Sequence, residues 1–268
     1  MWKIIFVLMA MLWAAAVNGQ QTSWKEKITH AEDLLSKGRY AEAASAGEEA
    51  LKAAEGEFGP EHPHVVTILG KLAKLYLQQL KFVEAEQFLK RALAIIDKTN
   101  GPEHLSLAPA LTDLAFLYTG QERYGEAEMV LKRLLIVLQI NLGAEHLEAG
   151  ATAMMLGTLY EEQRKYDEAE QLFKQALMSW EKNQGPEAGQ VAFRLDDLSR
   201  VYIAQGKYAE AEPLLKRAIA IREKLGGPAH PTVGMSLRNY ANLLRKTGRV
   251  EEAEKLEARA KEMGAKVP

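Results

Sequence analysis

The chain has 268 residues, 34 Lys and Arg against 36 Asp and Glu, a formal net charge of −2 and no cysteine. Apolar residues make up 47% and charged residues 26%, the balance of a folded protein, and the charge lacks the basic excess that nucleic-acid binders need. The absence of cysteine excludes disulfide scaffolds, thiolate zinc sites, iron–sulfur clusters, cysteine nucleophiles and cysteine-linked lipid anchors.

The first element is an address. Lys3 precedes an apolar run from Ile4 to Val17, which Asn18, Gly19, Gln20 and Gln21 end. A basic start, an apolar core of this length and small residues before a polar break predict a signal peptide over 1–19. Cleavage is expected after Gly19, or after Ala16. The run falls short of the ~20 residues that span a bilayer, and an uncleaved N-terminal anchor is the alternative. Export to the periplasm or the extracellular space is the expectation. No later stretch is apolar enough to span, so a soluble mature chain is expected.

The rest repeats at a period of 42, in units 23–64, 65–106, 107–148, 149–190, 191–232 and 233–268. Alanine recurs in every unit, as Ala43, Ala85, Ala127, Ala169, Ala211 and Ala253, each preceded by Glu. An aromatic column holds Tyr40, Phe82, Tyr124, Tyr166 and Tyr208, and another holds Tyr76, Tyr118, Tyr160 and Tyr202. Gly59, Gly101, Gly143, Gly185 and Gly227 close the five full units.

Each unit reads as two helices. Leu69, Leu72, Leu75 and Tyr76 share one helical face, and Ala85, Phe88, Leu89, Ala92 and Leu93 mark a second after a break near Leu80-Lys81. The alanine column predicts close approach of the two helices, and the closing glycines predict left-handed C-caps. Neither helix buries its face alone, so burial must come from stacking on the next pair.

Segments 156–177 and 198–219 resemble tetratricopeptide repeats, whose pattern falls on Leu156, Gly157, Tyr160, Ala169, Phe173 and Ala176. The 42-residue period and the Gly-Pro-Glu-His-Pro loop at 59–63 resemble the longer, kinesin-light-chain-like form. The resemblance implies an all-α, right-handed α-solenoid of about six helix pairs. It also implies a concave face, lined by first helices, that holds a peptide or helix of a partner. Projected onto this chain, that groove selects Lys71, Lys74, Asp113 and Phe116, then Met154, Met155, Glu162, Phe193, Asp197 and Arg200. Arg238, Asn239, Asn242 and Arg245 follow. Phe116, Met154, Met155 and Phe193 are unusual on a wetted surface, and exposed apolar patches mark interaction sites. Kinesin-light-chain-like repeats often hold the peptide backbone with paired Asn. Here that chemistry occurs around Asn239 and Asn242, with Asp113 and Asp197 in equivalent places, which argues against the acidic, Trp-containing peptides of kinesin light chains.

Motifs for chemistry are missing. There is no HExxH, GxSxG, GxxxxGK[ST] or GxGxxG, so no catalytic, cofactor-binding or metal residues are assigned. His62, His104, His146 and His230 share one loop column, too far apart to meet at one metal, and read as loop and cap residues; only His62-Pro-His64 could hold a surface metal, weakly. The Glu column and its neighbours Glu86, Glu128, Glu170, Glu212 and Glu254 fall early in each second helix, where the helix dipole favours negative charge. The Lys-Arg pairs at 90–91, 132–133 and 216–217 read as solvated faces with i,i+4 partners. The expectation is an exported, non-enzymatic interaction scaffold without nucleic acid, cofactor or membrane span in the mature chain. A structural or self-assembling subunit of an envelope complex, using its convex face or ends, is the alternative.

Overall fold

The computed structural model describes residues 24–228 and 230–264, so the expected leader over 1–19 lies outside it. The chain divides into two compact units, one ending at Val137 and the other beginning at Leu138. The first holds α1 (24–36), α2 (Tyr40–Phe58), α3 (Pro63–Gln78), α4 (Phe82–Asn100), a 3₁₀ turn (Leu105–Leu107), α5 (Ala108–Gly120) and most of α6 (Tyr124–Leu142). The second holds α7 (Leu147–Glu162), α8 (Tyr166–Gln184), α9 (Gly189–Ala204), α10 (Tyr208–Gly226), α11 (Pro231–Lys246) and α12 (Val250–Gly264). Among the described residues there is no strand, and no helix is long and apolar enough to cross a membrane.

The period becomes packing. In unit 1, α3 pairs with α4; in unit 2, α7 pairs with α8, α9 with α10 and α11 with α12. Within each unit successive pairs stack, α2 on α3 and α4 on α5 in the first, α8 on α9 and α10 on α11 in the second. All six alanines of the invariant column are fully buried. Close approach is enforced at Gly157 too, where an added Cβ would lie 3.0 Å from the Phe173 ring. Overpacking at such a contact costs ~1–3 kcal/mol.

The turns follow rules that the sequence shows only in part. Between the two helices of each pair one residue takes positive φ: Gly38, Leu80, Glu122, Arg164, Gly206 and Gly248. Glycine fills only half of these places, so this column escapes a search for recurring Gly. The closing glycines do have positive φ, but they are not left-handed helical caps. Gly59 sits at φ 89°, ψ 160°, an extended conformation essentially reserved for glycine.

The histidine column caps helices. Nδ1 of His62, His146 and His230 accepts the backbone N–H two residues on, at 3.2, 3.3 and 3.4 Å, at the starts of α3, α7 and α11. His104 does the same for Ser106 at 3.2 Å, capping the 3₁₀ turn before α5. Ala188 holds the same extended backbone at the start of α9 and has no side chain to offer. His62 stacks on Phe58 and His64 lies tilted against Trp24 and His62, with His62 Nδ1 engaged by a backbone N–H.

The carboxylates carry more than the dipole role read from sequence. Glu86 accepts from the Tyr118 hydroxyl at 3.0 Å, Arg123 at 2.6 Å and Lys90 at 2.6 Å, so a second helix is tied to the first helix and turn of the next pair. Glu212 repeats the node with Tyr240 at 2.7 Å, Arg249 at 3.0 Å and Lys216 at 2.7 Å. Glu170 binds Lys174, Lys207 and Gln205. The Lys members of the Lys-Arg pairs do have i,i+4 partners, whereas Arg91, Arg133 and Arg217 reach back to Glu55, Asp97 and Glu181 of the preceding pair.

Candidate functional site

In unit 1 the first-helix face is built by α3 and α5. Lys71 and Lys74 stand on α3, and Asp113 and Phe116 on α5. Lys71 is paired with Glu32 of α1 at 2.5 Å, and Lys74 is exposed. Asp113 is half-buried; burial pushes its carboxyl above the usual range, and the Lys74 charge opposes that. Phe116 is 61% exposed, an apolar ring facing water on an otherwise amphipathic helix. A cavity of about 450 Å³ opens between α3, α4 and α5. Its apolar wall includes Val66, Leu89, Ile96, Pro109 and Ala110, and Lys71, Lys74 and Asp113 are among its polar lining residues.

Unit 2 looks different. Met154, Met155 and Phe193 are half-buried, so of the four apolar side chains expected on the surface only Phe116 is largely exposed. Phe193 lies on the Arg222 guanidinium, 4.7 Å from ring centre to carbon. Arg222 in turn donates to Asp196 at 2.5 Å and also to Ser236, whose hydroxyl donates to Asp196 at 3.0 Å. All three are buried. Burial pushes the Asp196 carboxyl upward while these donors pull it back. Asn239 is half-buried on α11, three residues after Ser236.

Asp197 and Arg200 are joined at 2.9 Å, and Arg200 also holds Glu161 at 3.0 Å. Burial opposes the Arg200 charge, and its two carboxylate partners more than offset that, raising its pKa. Arg194, stacked 5.0 Å from the Trp180 ring, adds a 3.4 Å contact to Asp197. Arg245 pairs with Glu257 of α12 at 2.7 Å. Glu162, Arg238 and Asn242 are exposed, and of these only Arg238 and Asn242 lie on α11. Glu161 and Asp197, the acids of this cluster, each face Arg200. Among the described residues no group of His, Asp and Glu could hold a metal ion.

The buried triad and the hollow were not legible as such. Asp196, Arg222 and Ser236 occupy single positions of columns that are otherwise apolar or mixed, and only their convergence in space identifies them as a unit.

The tetratricopeptide repeat model matches residues 27–98, 67–135, 106–182 and 190–265. Among solved structures, a Podosopora anserina putative kinesin light chain with nearly identical TPR-like repeats is similar, at 28% identity and TM-score 0.65, over 77% of this chain and 98% of that one. BtubC (BKLC) from P. vanneervenii is 22% identical at TM-score 0.65, covering 93% of this chain and 91% of its own. YrrB, described as a TPR protein with an unusual peptide-binding site, is 17% identical at TM-score 0.57, over 81% and 93%. No curated protein matches significantly. The stacked helix pairs, the recurring alanine and tyrosine columns and the repeat matches over most of its length together place this chain in the tetratricopeptide repeat family.

Proposed function

We propose that the chain is an exported, non-enzymatic interaction scaffold that binds a peptide or helical segment of a partner protein on its first-helix face. The carrying observation is Phe116, an aromatic ring 61% exposed on α5, the helix that also gives Pro109, Ala110 and Asp113 to a hollow whose wall is largely apolar. Concave apolar surfaces with a few polar groups are where ligands are held. Exposed charged groups on the first helices, Lys74 within unit 1 and Arg238 within unit 2, would help to reject wrong partners. YrrB supports this reading only in that its fold accommodates a peptide-binding site. Export rests on the Ile4–Val17 apolar run and the polar break after it. N-terminal sequencing of the protein from its native host tests that part: a start at Gln20 or Val17 supports export with cleavage, and an intact Met1 in a protein found only in the cytosolic fraction opposes it.

The self-assembling alternative has one observation in its favour. Met129 and Ile136, two helical turns apart on α6, are 65% and 51% exposed. Sedimentation of the chain and of Met129→Lys/Ile136→Lys separates the readings. A concentration-dependent oligomer lost in the variant would favour assembly, and a monomer in both would oppose it.

A further inference from the structure

One second helix departs from the period on its outer face. Gly125, Met129, Lys132, Ile136 and Ile140 follow one another along α6 at steps of four, three, four and four, forming one stripe about 22 Å long. Met129, Ile136 and Ile140 are 65%, 51% and 57% exposed. One repeat earlier, α4 has Gln87, Ala94 and Lys98 at these three places; α8 has Gln171, Met178 and Lys182, and α10 has Pro213, Ala220 and Lys224. Lys98, Lys182 and Lys224 each bind a glutamate in the loop that opens their own helix pair, Glu61, Glu145 and Glu187. Ile140 replaces that ion pair with an apolar side chain facing water.

Gly125 is an independent sign of close approach. Its column otherwise holds Ala41, Val83, Asp167, Ala209 and Glu251, and glycine is a poorer helix residue than alanine. Its own chain does not require the missing side chain, because an added Cβ would meet nothing within 4 Å. A glycine on an exposed helix face lets a bulky group from outside come near the backbone.

The stripe fits itself. Turned end for end about a point between Lys132 and Arg133, it sets Met129 against the second copy's Ile136 and Gly125 against the second copy's Ile140, small against large at both ends. The charged groups beside it are already paired within one chain: Lys132 with Glu128 at 2.6 Å, Arg123 with Glu126 at 2.9 Å, and Arg133 with Asp97. A two-fold axis brings each group near its own copy, so an uncompensated charge would repel itself, whereas these pairs meet as neutral units.

We propose that α6 is the contact of a symmetric dimer, in which a second copy of this chain lays its own α6 antiparallel along the stripe. Each second helix other than α6 has at least one polar or charged residue, or a proline, among the three apolar places, so the contact closes at two copies and does not propagate. A single helix-on-helix seam falls at the low end of specific interfaces, below about 1,200 Å², and a weak, micromolar dimer is expected. Such a dimer uses no first-helix residue. It is therefore independent of partner binding there, and it gives the self-assembling alternative a surface, a register and a copy number.

Sedimentation of the whole chain at rising concentration is expected to show a monomer–dimer equilibrium, which Gly125→Leu weakens at least tenfold. Leucine enters open space in the monomer and is the better helix residue, so the variant should melt no lower than the parent. Phe116→Asp should leave the dimer unchanged. Cross-linking reads the register cleanly because the chain has no cysteine of its own. An oxidised equimolar mixture of Met129→Cys and Ile136→Cys chains should give a disulfide-linked dimer, since facing Cβ atoms fall near the ~4 Å a disulfide needs. Either variant alone should link at least tenfold less, its two copies standing about 10 Å apart along the seam. A parent that stays monomeric overturns the dimer and leaves the stripe to a foreign helix. Association that survives Gly125→Leu, is lost in Phe116→Asp, or links each variant with itself as readily as the mixture overturns the α6 contact.

Discussion

The Tyr118 hydroxyl donates to the Glu86 carboxylate at 3.0 Å, joining the second helix of one pair to the first helix of the next. With Arg123 at 2.6 Å, that single carboxylate is bonded from both the following helix and its turn. Hydrogen bonds from Arg123 above all hold its pKa down at about 2, against an ordinary 4.5. Glu212 is held at about 2 chiefly by Lys216 and Tyr240; Glu170 reaches about 2 because Lys174, Lys207 and Gln205 outweigh its burial. Depressed carboxylates stabilise the fold above their unfolded pKa and lose that contribution as pH falls through the folded one. Thermal stability should therefore hold from about pH 8 to 5 and fall steeply between about pH 4.5 and 2. Melting curves of Glu86→Gln and Glu212→Gln should start lower at pH 7 and show less of that acid loss.

Arg222 and Asp196 form a pair in which both side chains are almost wholly buried, 3% and 2% exposed. Removing one partner strands the other charge in the interior, so Arg222→Ala should cost about 3–5 kcal/mol in urea unfolding. Replacing both with Met, the residue α7 carries in place of Asp196, should stay within about 1 kcal/mol of the parent. A small loss in Arg222→Ala would mean that the pair is hydrated and not shielded in the interior.

Helix capping offers a gain. Ala188 has the backbone of its histidine counterparts, φ −68° and ψ 146°, and caps α9 with no side chain. Ala188→Asp should stabilise unit 2 by about 0.5–1.5 kcal/mol, and His146→Ala should destabilise α7 by a similar amount. Urea midpoints of the two variants moving in opposite directions is the expected result.

Close packing sets the spacing of each pair. Ala169 is fully buried, and Lys182 is exposed on the same helix. Ala169→Trp should lower the melting temperature strongly or prevent folding, while Lys182→Ala should shift it by less than about 1 kcal/mol in free energy.

Most of the fold was legible because a solenoid writes its packing as a period. Every repeat must place a small residue where helices cross, so Ala43 to Ala253 announce the architecture in sequence. Features that depend on the backbone alone left no consistent residue type; Leu80, Glu122 and Arg164 take the same positive φ as Gly38. The site was legible by column and not by depth. Phe116 is exposed as expected, but Phe193, in register with helix faces thought open, lies against Arg222 because that residue replaces the usual apolar one beneath it. Likewise Asp197 and Arg200 were selected as separate contacts and are instead bonded to each other. One sequence gives a column its place; its neighbours in the adjacent repeat decide what reaches the surface.

The central claim, that a partner is held on the first-helix face, is tested most directly by capture from the exported fraction of the source organism. The baits are the chain from Gln20 and the same chain carrying Phe116→Asp with Arg238→Glu, both verified folded by circular dichroism, with captured proteins read by mass spectrometry. The account predicts a protein retained by the first bait and lost by the second. Equal retention by both would contradict it and move the binding surface to the outer helices or the ends.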